Sequence, residues 1–183
     1  MSRLVLVRHG HAAAGWGDDA DPGLDDLGRR QSAEMATVVA PLGPLPVIVS
    51  GLRRCRETAA ALCEQWGIEP RIDSRVEEVP TPPGMHLAAR SNWLQGVMAG
   101  SWAASGPELS GWCDDVVECL LEVDADTVVV THFIAINVAI GRATGDDRVT
   151  CRVLDNCSRT VLDNRGGRLE VLELGAEART EVW

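Results

Sequence analysis

The chain has no tyrosine and a single phenylalanine among 183 residues, so its aromatic packing falls to six tryptophans. It is also poor in positive charge, with 17 Lys+Arg against 27 Asp+Glu and a formal net charge of −10. That balance excludes a general nucleic-acid surface, which needs a basic face. It leaves room for a small anion held by a local arginine cluster, because a compact anion approaches an acidic protein more easily than a polyanion does. No stretch reaches the ~18 consecutive apolar residues of a membrane span. The first apolar run, "LVLV", is four residues long before Arg8, which is not a signal peptide. The expectation is a cytoplasmic protein with no membrane partner.

The six cysteines are then read in a reducing compartment. They contain no CxxC, and the nearest pairs are Cys113/Cys119 and Cys151/Cys157. A zinc site wants tighter ligand pairs plus histidine, and the four histidines form no H-x-x-x-H pair. No metal and no cofactor is expected. Cys55 and Cys63 share a helical stripe with Ala59, Leu62 and Trp66, as buried free thiols would.

What is present is a globular composition, 45% apolar and 24% charged, with no repeat or linker. One domain over residues 1–183 is expected. Continuous apolar runs predict buried strands at 3–7, 47–50 and 127–132. Helices are predicted around 26–40, with Leu27, Met35, Val38 and Val39 on one face, and at 53–66, 108–121 and 133–144. Arg71–Val76 reads as a short extended segment and 85–105 as a helix and loop. "CRVLDN" (151–156), "SRTVLDN" and "GRLEVLEL" read as strands, the last two joined as a hairpin at Asn164–Gly167. Strands alternating with helices indicate an α/β fold: a three-layer α/β/α sandwich around a mostly parallel sheet, with a C-terminal antiparallel hairpin.

The polar residues that matter sit where strands stop. Arg8 and His9 end the first run, Ser50 ends the second before "GLRRCRETA", and Thr131–His132 end the third. Ligands of open parallel sheets bind at the carboxyl ends of strands. Arg8, His9, His132 and one of Arg53, Arg54 and Arg56 therefore converge on one crevice. Arginine forks suit phosphate oxygens, and a helix N-terminus adds backbone donors.

"VLVRHG", "SGLRRCRETAA" and "VVVTHF", in that order, resemble the histidine phosphatase, or phosphoglycerate mutase-like, superfamily. "LDDLGRRQSAE" and "RVEEV" are similar to further stretches of that family, while residues 85–126 resemble it least. The resemblance implies that His9 is the nucleophile, forming a phosphohistidine. It makes Arg8 the first phosphate clamp and, by the S-x-L-x-R spacing from Ser50, Arg54 the second. His132 becomes the second phosphoryl-binding and transition-state-stabilising histidine. Gly10 lets the backbone turn close to the ligand. The register of "RVEEV" selects Glu78 as the proton donor and acceptor, with Glu77 as the fallback.

The departures narrow the reading. Ala12 stands where the mutase branch has a serine, and Ala14 and Gly15 where it has a Trp-Asn pair. The resemblance therefore implies a metal-independent phosphomonoesterase acting on a small phosphorylated metabolite. Its alternatives are a protein phosphohistidine phosphatase, a phosphoglycerate mutase-like phosphotransferase and, last, a non-catalytic phosphate-binding domain. Phe133 follows His132 where glycine is usual, and it either narrows the pocket or packs beneath the helix. His11 stands near the predicted phosphate, either titrating there or on an exposed loop. Residues 80–112 are expected to form an insert covering the crevice. Its Met85, His86, Trp93, Trp102 and Trp112 either line a substrate pocket or make a small core. The sequence is silent on the substrate's identity and on whether copies pair as a homodimer.

Overall fold

The computed structural model describes residues 1–15 and 17–178. Its strands are β1 (Ser2–Arg8), β2 (Val47–Val49), β3 (Arg71–Ile72), β4 (Thr127–Thr131), β5 (Arg159–Arg165) and β6 (Arg168–Glu173). They form a six-stranded sheet in the order β3-β2-β4-β1-β5-β6. The pairs β1/β4, β2/β4 and β2/β3 are parallel, and β1/β5 and β5/β6 antiparallel. The helices are α1 (Asp26–Val39), α2 (Arg53–Trp66), α3 (Leu87–Met98), α4 (Pro107–Leu121) and α5 (Phe133–Thr144). The α/β class, mostly parallel sheet and C-terminal hairpin are as expected from the sequence.

Strand alternation divides the interior into two cores, one on each sheet face. Val5 and Val7, Val47 and Val49, and Val128 and Val130 face α1 and α2. Leu4, Leu6, Ile48 and Val129 face the other way, onto a core built mainly from α4 and α5. Both faces of β1, β2 and β4 are thus covered, which is why these strands read as unbroken apolar runs. Trp102 and Trp112 stand 5.9 Å apart between ring centroids, and with Trp93 they pack on the second core.

Three predictions are corrected. The buried face of α1 is Gly28, Ser32, Met35, Ala36 and Val39, whereas Leu27 and Val38 are exposed. The helix packs through small residues because it lies hard against the turn after β1. A side chain on Gly10 would meet the carbonyl of Gly28 at 2.7 Å, and one on Gly28 would strike the His11 backbone. The extended segment at 71–76 is two residues of β3 followed by a 3₁₀ turn at Ser74–Val76. Residues 151–156 are not a strand. Only Leu154 makes an isolated bridge, to Glu177, and Asp155–Ser158 closes as a turn in which Ser158 N donates to Asp155 O at 3.2 Å.

That turn forms a bulge against the end of β1. Cys157 N donates to Arg8 O at 3.0 Å and Arg8 N donates to Ser158 O at 3.2 Å. Cys157 occupies the bulge position that favours glycine, with φ 55°. A left-handed backbone costs a non-glycine residue about 1–2 kcal/mol. Cys157→Gly is therefore expected to raise stability by up to about 1 kcal/mol, since glycine's greater unfolded-state entropy offsets part of the gain. Cys157→Val, β-branched in a left-handed site, should lower it. Urea unfolding midpoints check both, and equal losses would show that thiol contacts, not backbone conformation, hold the turn.

Candidate active site

Three parallel strands end side by side, and each delivers a polar residue to the same place. Arg8 is the last residue of β1, and His9 N donates to Thr131 O at 2.9 Å, continuing the β1/β4 pairing past the strand. Ser50 N donates to Val130 O at 3.1 Å, so β2 is tied to β4 in the same way. His132 follows β4 directly and caps α5 in an extended conformation. Arg54 lies in the first turn of α2, so two helix N-termini open onto the crevice. Arg8, His9, Arg54, Glu78 and His132 are all buried.

Hydrogen bonds fix the imidazole protons. His9 Nδ1 is 2.7 Å from the Gly10 carbonyl, to which it donates, leaving the lone pair on Nε2. Arg54 Nε donates to that Nε2 at 3.2 Å. The same guanidinium reaches His132 Nδ1 through NH2 at 3.1 Å. The two rings meet edge-on, with centroids 5.2 Å apart. Burial first, then the Arg54 charge, holds both histidines well below their ordinary pKa. Arg8 donates to Leu154 O at 2.6 Å, and its Nε is buried without a partner among the described residues. Burial brings its guanidinium down to about 10, still charged at neutral pH.

Glu78 enters from the loop after the 3₁₀ turn. Its Oε2 lies 3.8 Å from His132 Nδ1 and 4.0 Å from Arg54 NH2. Glu77 is turned away, with its carboxylate against Gly51. Arg53 and Arg56 are exposed, and Arg53 pairs with Glu57 at 2.7 Å. Of the three candidate arginines, Arg54 alone joins the cluster. Phe133 lies beneath Arg8, whose guanidinium carbon is 5.3 Å from the ring centroid. His11 is exposed and bonds Asp25, the N-cap of α1, at 2.8 Å. His86 is exposed at the start of α3.

Four residues of the site escaped the sequence reading. Ser50, noted only as a strand end, touches His132 Nε2 at 2.8 Å. Thr58 accepts from Gly10 N at 3.0 Å and donates to Arg54 O at 2.7 Å, locking the turn after β1 to α2. Asn156 donates to His9 O at 3.0 Å. Arg90, on α3, is half-buried and donates to Thr81 Oγ1 at 2.7 Å. Burial lowers its pKa, while the charges of Glu78 and Arg54 act on it in opposite senses, which puts it within electrostatic reach of the cluster. Thr58 falls at the end of the S-x-L-x-R-x-x-x-T spacing, a signal that was available. Asn156 and Arg90 carry no motif. Among the described residues, no group of three or more His, Cys, Asp or Glu is placed to hold a metal ion. The donors that converge are instead guanidinium, imidazole and helix-terminal N–H groups, a set suited to a tetrahedral oxyanion.

Known proteins share both the sequence and the fold. Glucosyl-3-phosphoglycerate phosphatase of Mycolicibacterium vanbaalenii is 39% identical over 82 residues, 43% of this chain and 36% of that protein. Its counterpart in Mycobacterium tuberculosis is 38% identical over 80 residues, 42% of this chain and 36% of that one. These matches thus span about a third of the relatives' length. The native structure of mycobacterial glucosyl-3-phosphoglycerate phosphatase superposes with a TM-score of 0.74 at 24% identity, over 96% of this chain and 99% of that one. Phosphoserine phosphatase from Entamoeba histolytica, in complex with 3-phosphoglyceric acid, gives 0.76 at 19% identity, over 96% and 98%. At these identities the superpositions speak for the fold. The sequence pattern of the histidine phosphatase superfamily (branch 1) matches residues 4–177, almost the whole chain, and the chain belongs to that superfamily.

Proposed function

We propose that the chain is a phosphatase that hydrolyses a small phosphomonoester through a phosphohistidine on His9, without a metal ion. The observation that carries this reading is the position of Arg54, which donates to His9 Nε2 and His132 Nδ1 at once. A phosphoryl group entering between the rings takes over those N–H groups and frees the Nε2 lone pair for in-line attack. The P–O ester bond breaks as the Nε2–P bond forms, and Glu78 supplies a proton to the leaving oxygen. Water then attacks phosphorus, Glu78 takes its proton back, and the Nε2–P bond breaks to release phosphate. Arg8, Arg54 and His132 hold the equatorial oxygens, whose charge grows in the transition state. The segment 80–112 covers the crevice in this reading.

Arg90 adds a statement about the substrate. A third guanidinium, carried by α3 and tied to Thr81, suits a second anionic group on the alcohol portion. The relatives point the same way, since phosphoserine phosphatase and glucosyl-3-phosphoglycerate phosphatase are named for phosphomonoesters that bear a carboxylate. We infer a phosphomonoester whose alcohol portion carries a second anionic group.

Turnover of a panel of sugar phosphates, nucleotides, phosphoserine, 3-phosphoglycerate and a phosphohistidine peptide tests the reading. Activity should survive EDTA and drop by roughly 10⁴-fold or more in His9→Ala. Glu78→Gln should slow alkyl esters by about 10²–10⁴-fold, and p-nitrophenyl phosphate, with its better leaving group, by less. Unchanged turnover in His9→Ala would sink the proposal.

In Arg90→Ala, kcat/KM for phosphoserine relative to p-nitrophenyl phosphate should fall about ten- to hundredfold. That is the worth of a hydrogen bond to a charged group, about 1.5–3 kcal/mol. An unchanged ratio would remove Arg90 from substrate recognition.

The nucleophile should also persist in acid. Because its pKa lies well below the ordinary value of about 6.5, the His9 ring is expected to stay neutral in the free enzyme as the pH falls through about 6.5. The unfolded chain takes protons first in that region, so stability should fall as pH drops below about 6.5. The slope should approach about 1.4 kcal/mol per pH unit for each of His9 and His132. NMR titration and urea unfolding check the two statements, and a His9 midpoint near 6.5 would contradict both.

A further inference from the structure

We propose that Ser50 is a positioning residue that fixes the His132 proton on Nε2, so that Nδ1 meets the phosphoryl anion as a base and anion binding draws a proton onto it. The inference rests on reading the crevice as a phosphoryl site. It starts from two contacts on opposite sides of one buried ring. Arg54 NH2 is 3.1 Å from Nδ1, and a guanidinium has no lone pair to offer. Nδ1 is therefore the accepting nitrogen, and the proton of the neutral ring belongs to Nε2. That nitrogen is 2.8 Å from Ser50 Oγ.

Ser50 is built to receive that proton and not to compete for it. It is fully buried, and its backbone is pinned to Val130 O at the end of β2. Its Oγ already accepts from Leu52 N at 3.2 Å, so the bond from Nε2–H fills its second acceptor position. The Cys55 thiol lies 3.3 Å from the same Nε2 and donates to Thr131 O at 3.5 Å, so it is not a donor to Nε2. A serine held in this way turns the unprotonated edge of His132 toward the crevice.

The groups that face this ring come from every side. Arg8 and His9 lie at the end of β1, Arg54 and Cys55 on α2, Glu78 on the loop before α3, and Arg90 on α3. The arginines oppose a proton on Nδ1 and Glu78 favours one. Burial, followed by the Arg54 charge, keeps the free ring neutral. An anion that takes the Arg54 donors removes the hydrogen bond to Nδ1 and offsets the arginine charges. A solvent proton then bonds to Nδ1, giving an imidazolium that donates to the anion on one side and to Ser50 on the other.

Long-range ¹⁵N–¹H NMR of the ring-labelled full chain, which has four histidines, reads this without turnover. The probe is tungstate, a tetrahedral dianion at pH 7.5. Free His132 should show a protonated Nε2 and a bare Nδ1, and both nitrogens should be protonated with tungstate. Ser50→Ala should weaken tungstate about tenfold, the loss of one hydrogen bond to a charged group, and Ser50→Thr, which keeps the hydroxyl, should restore it. A proton on Nδ1 in the free chain, a singly protonated ring with tungstate, or unchanged affinity in Ser50→Ala overturns the proposal. The doubly protonated ring in a chain that hydrolyses no ester supports the Ser50 assignment and sinks the phosphatase reading. Failure of tungstate to bind overturns both.

Discussion

Arg54 donates to His9 Nε2 at 3.2 Å and to His132 Nδ1 at 3.1 Å while almost wholly buried, and the other features of the crevice follow from that charge. A guanidinium cannot shed its proton inside a protein, so its surroundings must supply acceptors or opposite charge. Here the acceptors are two imidazoles, which the same charge helps to keep neutral. The opposite charge is Glu78, at 4.0 Å. Arg8 adds a second positive charge nearby, with Glu78 and Asp155 acting against it, and among the described residues neither guanidinium has a carboxylate partner closer than 4.0 Å. A phosphoryl dianion supplies that closer partner. The arrangement favours the group it is proposed to bind and raises the transition state's share of the interaction, because charge on the phosphoryl oxygens grows there.

An acidic protein keeps such a site by confining its cations. The chain contains no lysine, and every long-side-chain cation is an arginine. Away from the crevice many of these arginines pair with carboxylates, as Arg75 does with Asp73 and Glu122, and Arg142 with Asp114. Inside, Arg8 and Arg54 are held by backbone carbonyls, ring nitrogens and a phenyl face. The sheet makes this geometry available. Parallel β1, β4 and β2 place three carboxyl ends together, antiparallel β5 pairs with the far side of β1, and the Cys157 bulge extends that pairing to Arg8.

How much of this could be read beforehand depended on whether a residue's role was local. β1, β2 and β4 were legible because burial on both faces writes continuous valine and leucine into the chain. Arg8, His9 and His132 were legible as polar residues at strand ends, and Arg54 through a fixed spacing in one helical turn. The buried face of α1 is not the apolar one that the sequence suggests. The helix approaches β1 so closely that Gly28, Ser32 and Ala36 face inward, and Leu27 and Val38 are displaced to solvent. Val153 and Leu154 made residues 151–156 look like a strand, although "LDNCS" carries Asp and Asn where a turn needs them. Arg90, Asn156 and the contact of Ser50 with His132 arise only when distant segments meet, and no local pattern announces them.

The carboxylate shows that the sheet is not the only source of rigidity. Glu78 lies on a loop, yet the loop is fastened on both sides. Asp73 caps the preceding 3₁₀ turn through Arg75 N and binds the Arg71 and Arg75 side chains, and the Arg75 hydrogen bonds hold its carboxyl well below the usual range. Thr131, at the end of β4, donates its hydroxyl to Val76 O at 2.6 Å. Val76 and Val79 are both buried, so the chain is anchored before and after Glu78. Glu77, between two inward-facing neighbours, has to point elsewhere, and that is why the second of the two acids reaches the ring. The residues proposed to grip phosphate sit on strand ends and helix starts, whereas Glu78 lies on a loop and Arg90 on α3, both in the part of the chain between β3 and β4. In the proposed reaction a change of leaving group would therefore fall to that part of the chain, and the two histidines, Arg8 and Arg54 belong to the strand ends and helix starts.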